Sequence, residues 1–529
     1  MSSTGSASSM FIFYWLFKHE EKWLAVFKQD NTFIYAEDKE SLEKALSSAQ
    51  ILVSYGNYQS SDKFLAKILS DGKSEYLQQY LSIDLSQEIK NRTIEEIGYY
   101  LNLDIKAKTP KEFCEKRIAI CERIFEEREE YLETKFEIVE EFNLPARAIT
   151  YTRARLASEL LKAKKMPKRP NILFFKYDKY LPKNELPQQL VNFYHDMSEK
   201  YKCDQEEKHK NDKLKMTIAN LTHTFGVGGV HAAKEKYHEK GLFLLIDINQ
   251  FFPTIIKNND LLATGVKDKK MFEHLYQKKV ETNKLTYKIL INAINGAMNT
   301  QFSNLYDPQK YYSVTVNGQL IITHLITLLE GFYDELIQTN TDGIVIKIKR
   351  EMKQIIHEIL DLWCEHFHQK AKVKVIEEIW QKDVNNYIFK TKDGSYVRKG
   401  IFAEQNYLSA NIPVVYEGLF ECLVHGIKPQ NYVVDVFKSG NLSKFQYVGK
   451  LQGDFECIEH QVGDTYRKLN NTINGVATTN KVFGGVYQVK NDMHSKLPGS
   501  PEHFMRMDQV KKSDIDVNWY IQQIEKNMF

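Results

Sequence analysis

In GLFLLIDINQFFPTII (241–256), an unbroken apolar run from Leu242 to Ile246 ends on Asp247, and Pro253 stops regular pairing a few residues later. A short apolar run bounded in this way reads as a buried strand. It leaves the Asp247 carboxylate at the rim, where sheets present metal ligands. Taken alone, the same residue reads more readily as a structural helix N-cap.

A second element, LIQTNTDGIVIKIK (336–349), has β-rich runs on either side of Asn340-Thr341-Asp342-Gly343, a hairpin signature. Asp342 either simply makes the turn or joins Asp247 as one of two carboxylates at the ends of neighbouring strands. Two divalent ions about 3.5–4 Å apart, bridged by such a pair, clamp the attacking and leaving oxygens of a phosphoryl transfer. Between the two lies KLTYKILINAINGAMN (284–299), where Leu285, Ile289, Ala293 and Ile294 recur at helical spacing and predict one buried face. Lys288, Asn292 and Asn295 share another face. That face is either solvated or suited to hold a triphosphate and monitor a base pair.

Working outward, 529 residues suffice for about three or four domains of roughly 150 residues each. Charged residues at 27% exclude a disordered chain, and no apolar run reaches about 18 residues, which predicts no membrane-spanning helix. Lys+Arg at 72 against Asp+Glu at 69 leaves a net charge of +3, so any basic groove must be local. Six cysteines are too sparse for a disulfide scaffold and point to a reducing compartment. The 30 Tyr and 30 Phe suit base stacking and large cores alike. MSSTGSASS has neither an apolar core nor a basic flank; it reads as a flexible leader or cloning scar before Met10, not a signal peptide.

FIFYWLFK (11–18) predicts a strand, WLAVFKQDNTFIYAED a strand pair around Asp30-Asn31, SLEKALSSA a helix and ILVSY (51–55) another strand. Lys111 to Glu141 predicts one long acidic helical stretch, and TRARLASELLKAKKMPKRP (152–170) is basic until Pro170 closes it. The sign change near residue 145 marks the expected domain boundary, and QEEKHKNDKLK (205–215) reads as an exposed loop. There is no internal repeat.

The ordered set Asp-x4-Phe-Pro-Thr, Lys-x3-Asn-x2-Asn-Gly and Thr-Asp-Gly between strands resembles motifs A, B and C of family B DNA polymerases, and is closest to the compact phage and prophage type. FGVGGVHA (225–232) resembles the glycine-rich segment that precedes motif A, and QKDVNNYIF (381–389) with DGSYVRKG the segment after motif C. The tail DVNWYIQQIEKNMF also looks like the end of this group. The resemblance spans essentially Met10 to Phe529.

It implies a multidomain α/β (α+β) protein, a right-hand polymerase with an N-terminal RNase H-like exonuclease-type domain. The divisions would be 1–9 leader, 10–150 exonuclease-like domain, 151–262 linker and first part of the palm, 263–300 fingers, 301–395 second part of the palm, and 396–529 thumb and C-terminal region. It implies that Asp247 and Asp342, with the Ile248 backbone carbonyl, hold two Mg²⁺ ions, for which Mn²⁺ can substitute. Lys288, with Lys279 as a second cation, would contact the triphosphate, and Asn292 would lie near the incoming nucleotide. Phe252 stands where an aromatic blocks a ribose 2′-OH, although a core aromatic before Pro is the alternative. Asn295, Gly296, Lys382, Tyr387, Gly228, Gly229, Arg153 and Arg155 would contact DNA. The implied partners are primer–template or single-stranded DNA and dNTPs, for a monomer in the cytoplasm of a bacterial host.

Departures from the pattern matter. Ala293 and Asn295 stand where the family has Ser and Tyr, and Asn340 replaces the first Asp of motif C. In the exonuclease-like region, Tyr14 and Leu16 occupy the expected acid positions of the first strand; VSYGNYQSSDKFL keeps Asn57 and Asp62, and Arg117 falls where a third acid belongs. Asp38 and Glu40 form a D-x-E only in a polar turn. One remaining carboxylate cannot hold two Mg²⁺ ions, so this domain is expected to be inactive. Cys422/His425 and Cys457/His460 have zinc-like spacing but sit in helix-like and strand-like contexts, and Cys364, His366 and His368 point apart on a helix. The expected function is templated DNA synthesis without 3′–5′ proofreading. The alternatives are an untemplated, terminal-transferase-like polymerase and a non-catalytic DNA-binding relative.

Overall fold

The computed structural model describes residues 10–47, 51–70, 80–89, 92–167, 175–201, 212–406 and 411–529. The leader 1–9 and most of the polar stretch 205–215 lie outside them. The chain is mixed α/β and divides into two compact units, one of Met1–Thr150 with Glu404–Met528 and one of Tyr151–Ala403 with Phe529. Among the described residues no helix is long and apolar enough to cross a membrane.

The first unit opens with a five-stranded sheet: β1 Phe11–His19, β2 Lys22–Gln29, β3 Thr32–Ala36, β4 Ile51–Ser54 and β5 Leu81–Asp84, in the order β3-β2-β1-β4-β5. β1 is antiparallel to β2 and parallel to β4, and β5 runs parallel to β4. Alternation along FIFYWLFK explains the layering. Ile12 and Tyr14 pack with Leu42, Ala45, Leu46 and Leu65 of the helices Lys39–Leu46 and Ser61–Leu69. Phe13 and Trp15 pack with Cys114 and Ile118 of the helix Pro110–Glu127 on the other face. The stretch expected as one helix from 111 to 141 is two, Pro110–Glu127 and Glu129–Glu141. The break falls at Arg128, whose buried guanidinium Nη1 donates to the carbonyls of Leu85 (2.6 Å) and Gln87 (3.1 Å). Asp38 is exposed, and its carboxylate also accepts from Ser41 N–H (2.8 Å) and caps the first helix.

Residues 404–528 add three helices, Pro413–His425, Pro429–Ser439 and Val517–Asn527, with a three-stranded and a four-stranded sheet. The Tyr520 hydroxyl donates to the Phe445 carbonyl (2.5 Å) and accepts from Ala477 N–H (2.9 Å), tying the last helix to the three-stranded sheet. Cys422 is buried on a helix, and Cys457 and His460 are buried in one strand.

The second unit carries a nine-stranded antiparallel sheet: β6 Leu214–Ile218, β7 Leu221–Phe225, β8 His231–Ala233, β9 Tyr237–Asn249, β10 Glu335–Asn340, β11 Gly343–Lys347, β12 Lys370–Asp383, β13 Asn386–Thr391 and β14 Tyr396–Lys399. Their order is β14-β13-β12-β9-β11-β10-β8-β7-β6. β14 thus belongs to this sheet, so residues 396–403 go with the second unit and not with 404–528. The helix Pro308–Leu328 is buried all round from Tyr312 to Ile326, although Ser313, Thr315, Asn317, Gln319, Thr323 and His324 are polar. Its polar residues are spent inside: Gln319 Nε2 donates to the carbonyls of Gly226 (2.8 Å) and Gly228 (2.7 Å), and Asn317 holds Asp178 N–H (2.8 Å).

Candidate active site

The apolar run of 242–246 lies within β9, and Asp247 emerges near its end. Pairing ceases after Asn249. Gln250 turns the chain through a left-handed conformation (φ +51°), and the helix Phe251–Asn259 begins at once, with Pro253 in its first turn. Asp247 is therefore on the strand and is not the helix cap.

β10 and β11 form the expected hairpin, with Asn340 paired to Gly343 across Thr341 and Asp342. Asp342 N–H closes back on the Asn340 carbonyl (2.5 Å), forcing β-branched Thr341 to φ +49°. Such a residue avoids this region unless its surroundings hold it there, and strain of this kind clusters at functional sites. The surroundings here are Thr341 N–H on the Val230 carbonyl (2.9 Å) and Ile248 N–H on the Asp342 carbonyl (2.9 Å).

The register of β11 on β9 sets Gly343 opposite Asp247, so the turn residue Asp342 and the strand residue Asp247 share the rim. Two glycines permit the approach. A Cβ on Gly343 would lie 2.8 Å from the Ile246 carbonyl oxygen, and one on Gly229 would collide with Thr341 Oγ1. Gly228 has open space around it. The glycine-rich segment thus braces the turn; its carbonyls are gripped by Gln319, and Thr315 Oγ1 donates to Val227 (2.9 Å).

Both carboxylates are open at the rim, yet the protein packed behind them raises their pKa values. Burial is the main cause for Asp247, offset by Lys372 and Lys374; for Asp342 it is burial and then Asp247, offset by Lys399. Among the described residues, neither carboxylate has a side-chain hydrogen bond or ion pair. Tyr387 is pushed up to about 12 by burial and then by Asp247 and Asp342, which places its hydroxyl within the field of both. Its strand neighbour Lys399 pairs with it across β13 and β14.

Lys372 stands opposite Asp247 on β12, and Lys370, Lys372 and Lys374 form an exposed stripe on one face. These lysines went unnoticed in the sequence, although the alternation KAKVKV (370–375) was there to find them. Lys399 carried no such signal. Lys382 lies in the bulge of β12, its carbonyl held by Lys236 N–H (3.0 Å), and is not brought to the carboxylates as Tyr387 is.

Lys279 and Lys288 sit on the consecutive helices Lys269–Thr282 and Leu285–Met298, close enough that Lys288, after burial, lowers the pKa of Lys279. Lys279 Nζ donates to Asn283 Oδ1. Lys288, Asn292 and Gly296 are exposed, and Asn295 is half-buried with an Oδ1 that has no hydrogen-bond partner among the described residues. The helix pair leans on Phe251–Asn259 through Tyr276, whose hydroxyl meets Thr254 Oγ1 (3.0 Å). Phe252 is half-buried, tilted on Phe251 (5.6 Å) and packed against Gly318. Arg153 and Arg155 are exposed on the helix Arg153–Leu160, which packs along Leu285–Met298; the Arg155 guanidinium covers the Tyr151 ring at 3.7 Å.

In the first unit, Tyr14 is fully buried and its hydroxyl donates to Asp62, which also receives Asn57 Nδ2 (3.3 Å). Arg117 is not part of this cluster. It lies on the helix covering the opposite face of the sheet, where it pairs with Glu95 (3.0 Å) and stacks on Phe113 (3.4 Å). Among the described residues there is no group of three or more His, Cys, Asp or Glu side chains placed to hold a metal.

No protein-family model and no curated protein matches the chain. Among solved structures it is similar to the family B DNA polymerase from the hyperthermophilic archaeon Pyrobaculum calidifontis, with 12% identity and a TM-score of 0.46 over 98% of this chain and 77% of that one.

Proposed function

We propose that the chain is a template-directed DNA polymerase of the right-hand type, adding deoxynucleotides to a primer 3′-OH. The observation that carries this reading is the pairing of Gly343 with Asp247, which sets two carboxylates with no side-chain partner on one rim of the sheet. The donor set suits Mg²⁺. This hard cation is typically held by one or two carboxylates with water and substrate phosphates completing the shell, so a pair of acids is enough. Asp247, Asp342 and the Ile248 carbonyl would hold two such ions, which when bound lower the charge that develops on the attacking and leaving oxygens.

The remaining roles belong to the chain's own groups. Lys279 and Lys288, held near one another despite like charge, suit the triphosphate of a dNTP, with Asn292 and Asn295 beside them. Phe252 would exclude a ribose 2′-OH, its ring backed by Gly318. Tyr387, Gly228, Gly229, Gly296, Lys382, Arg153 and Arg155 would position primer and template. In this reading the nine-stranded sheet is the palm, 263–300 the fingers, and 404–528 the thumb and C-terminal region. The sheet order β3-β2-β1-β4-β5 supports an exonuclease-type N-terminal domain, and the Tyr14 hydroxyl on Asp62 supports its being inactive.

The test is extension of a 5′-labelled DNA primer with Mg²⁺, alone and annealed to a template, with each dNTP singly. Growth only on the annealed primer, matching the template, is expected. Growth of the lone strand with any dNTP would replace this reading with an untemplated transferase, and shortening without dNTP would overturn the inactive-exonuclease assignment. Asp342→Asn should slow synthesis by at least about 100-fold while leaving DNA affinity nearly intact.

A further inference from the structure

The unit formed by residues 1–150 and 404–528 contains a cleft of about 510 Å³, within the range of small-molecule sites. Among the described residues its charged lining is Arg92, Lys450 and Lys526, with no carboxylate on the wall. Behind the wall is Glu96, 3% exposed, with Oε2 3.7 Å from Arg92 Nη1. The described wall itself thus presents three cations and no carboxylate. Burial and the neighbouring Arg92 both lower the pKa of Lys450, with Glu96 opposing them, so like charges are held together here at a cost that an anion would relieve.

Another cleft in the same unit, about 600 Å³, differs in kind. There Arg117 is matched by Glu95 (3.0 Å) and Arg506 by Asp508 (2.7 Å), and Glu96 lines the same wall as Lys106 and Lys468, so both signs of charge share it.

We propose that the cleft of Arg92, Lys450 and Lys526 binds the phosphate of a nucleotide, either free or within a single strand. Arg92 supplies a planar fork for two phosphate oxygens, and the lysines supply point charges. Gln523 offers an amide and Tyr416 an aromatic surface for the attached sugar and base. The site lies in the first unit, whereas Asp247 and Asp342 lie in the second, and it does not rest on the polymerase reading.

Lysine acetylation of the full chain, read residue by residue by mass spectrometry, tests it with dTMP and the oligonucleotide d(pT)4 as probes at millimolar concentration. At least about threefold slower acetylation of Lys450 and Lys526, with exposed Lys22 unaffected, is expected with one probe or both. Protection by dTMP assigns a free nucleotide, and protection by d(pT)4 alone assigns a strand. In calorimetry, Lys450→Gln/Lys526→Gln should weaken the protecting probe about tenfold or more without changing the thermal midpoint. Unprotected lysines with both probes, or unchanged affinity in the double variant, would overturn the proposal. Neither readout involves Asp247 or Asp342, so a failure of the polymerase reading leaves it standing.

Discussion

Gly343→Ala probes whether the two carboxylates act as a pair. Gly343 has no left-handed φ, so the substitution acts through space alone. The new methyl would sit 2.8 Å from the Ile246 carbonyl oxygen, whereas ordinary contact begins at 3.4 Å, so the turn must retreat by 3.4 − 2.8 = 0.6 Å. The obstacle is backbone within a paired strand and cannot swing aside. A 1 Å misplacement of reacting groups costs on the order of 100-fold in rate, and 0.6 Å, scaled in the exponent, costs on the order of tenfold. The overpacking should also lower stability by about 1–3 kcal/mol. The assay is single-turnover addition of one dNTP to an annealed primer with Mg²⁺, which separates the maximal rate from nucleotide half-saturation and primer affinity. The maximal rate should fall about tenfold with primer affinity unchanged. Gly229→Ala strains the same turn from its other side, against Thr341 Oγ1, so Thr341→Ala should restore much of that variant's lost rate. A folded Gly343→Ala protein with an unaltered rate, or Gly229→Ala without rescue, would refute the claim that this turn sets the geometry of the site.

Other outcomes are expected. Lys288→Ala should raise dNTP half-saturation about tenfold or more in the same assay, with a smaller effect on primer affinity, because a charge-assisted phosphate contact is worth about 1.5–3 kcal/mol. Tyr14→Phe should lower stability to denaturant by about 1–3 kcal/mol, since it leaves buried Asp62 without its hydroxyl donor. Burial pushes the Glu96 carboxyl up to about 7 from an ordinary 4.5, with Arg92 and Lys450 opposing the rise and Glu95 adding to it. The folded chain therefore holds this proton more tightly than the unfolded chain. Glu96 supports folding fully below about pH 4.5 and withdraws that support as pH rises through 7, by up to about 3 kcal/mol. Urea unfolding of wild type and Glu96→Gln across that window should show the variant gaining on wild type by about this amount.

What the sequence revealed follows the range of the forces involved. The run 242–246 and the Asn-Thr-Asp-Gly turn are local signals, and both became the elements they predicted. That β11 pairs with β9 in the register that unites Asp247 and Asp342 is a long-range fact; the residues alone offered it as one of two readings of Asp342, and the resemblance to a family favoured it. The break at Arg128 was invisible for the same reason: the carbonyls of Leu85 and Gln87 that its guanidinium meets there lie far along the chain. Asn57 and Asp62 were legible as remnants, but a hydroxyl from β1 lying on Asp62 was not. Arg117 was misplaced because a linear alignment does not say which face of the sheet a helix covers. The lysines of β12 were a readable pattern left unread.

The two units differ in who fills the lone pairs of their acids. In the first, Asp62 is served by Tyr14 and Asn57, and Asp84 by Gly56 N–H (2.7 Å), Ser86 N–H (2.8 Å), Ser86 Oγ (2.6 Å) and Tyr58 N–H (3.4 Å). Such carboxylates are structural. Their oxygens already accept neutral donors, and a cation would have to displace hydrogen bonds that hold β4, β5 and their loops in place. In the second unit the two acids share a rim and, among the described residues, accept no side-chain donor; burial raises the pKa of both and Asp247 adds to that of Asp342, a cost that a positive ion would relieve. Replacing Tyr14 by Asp would add a carboxylate to the first cluster but would not free Asp62 from Asn57 or Asp84 from its four donors. A two-metal centre therefore requires more of that domain than one restored acid, whereas the proposed site, where Gly343 lets a strained turn approach β9, has both of its acids in place.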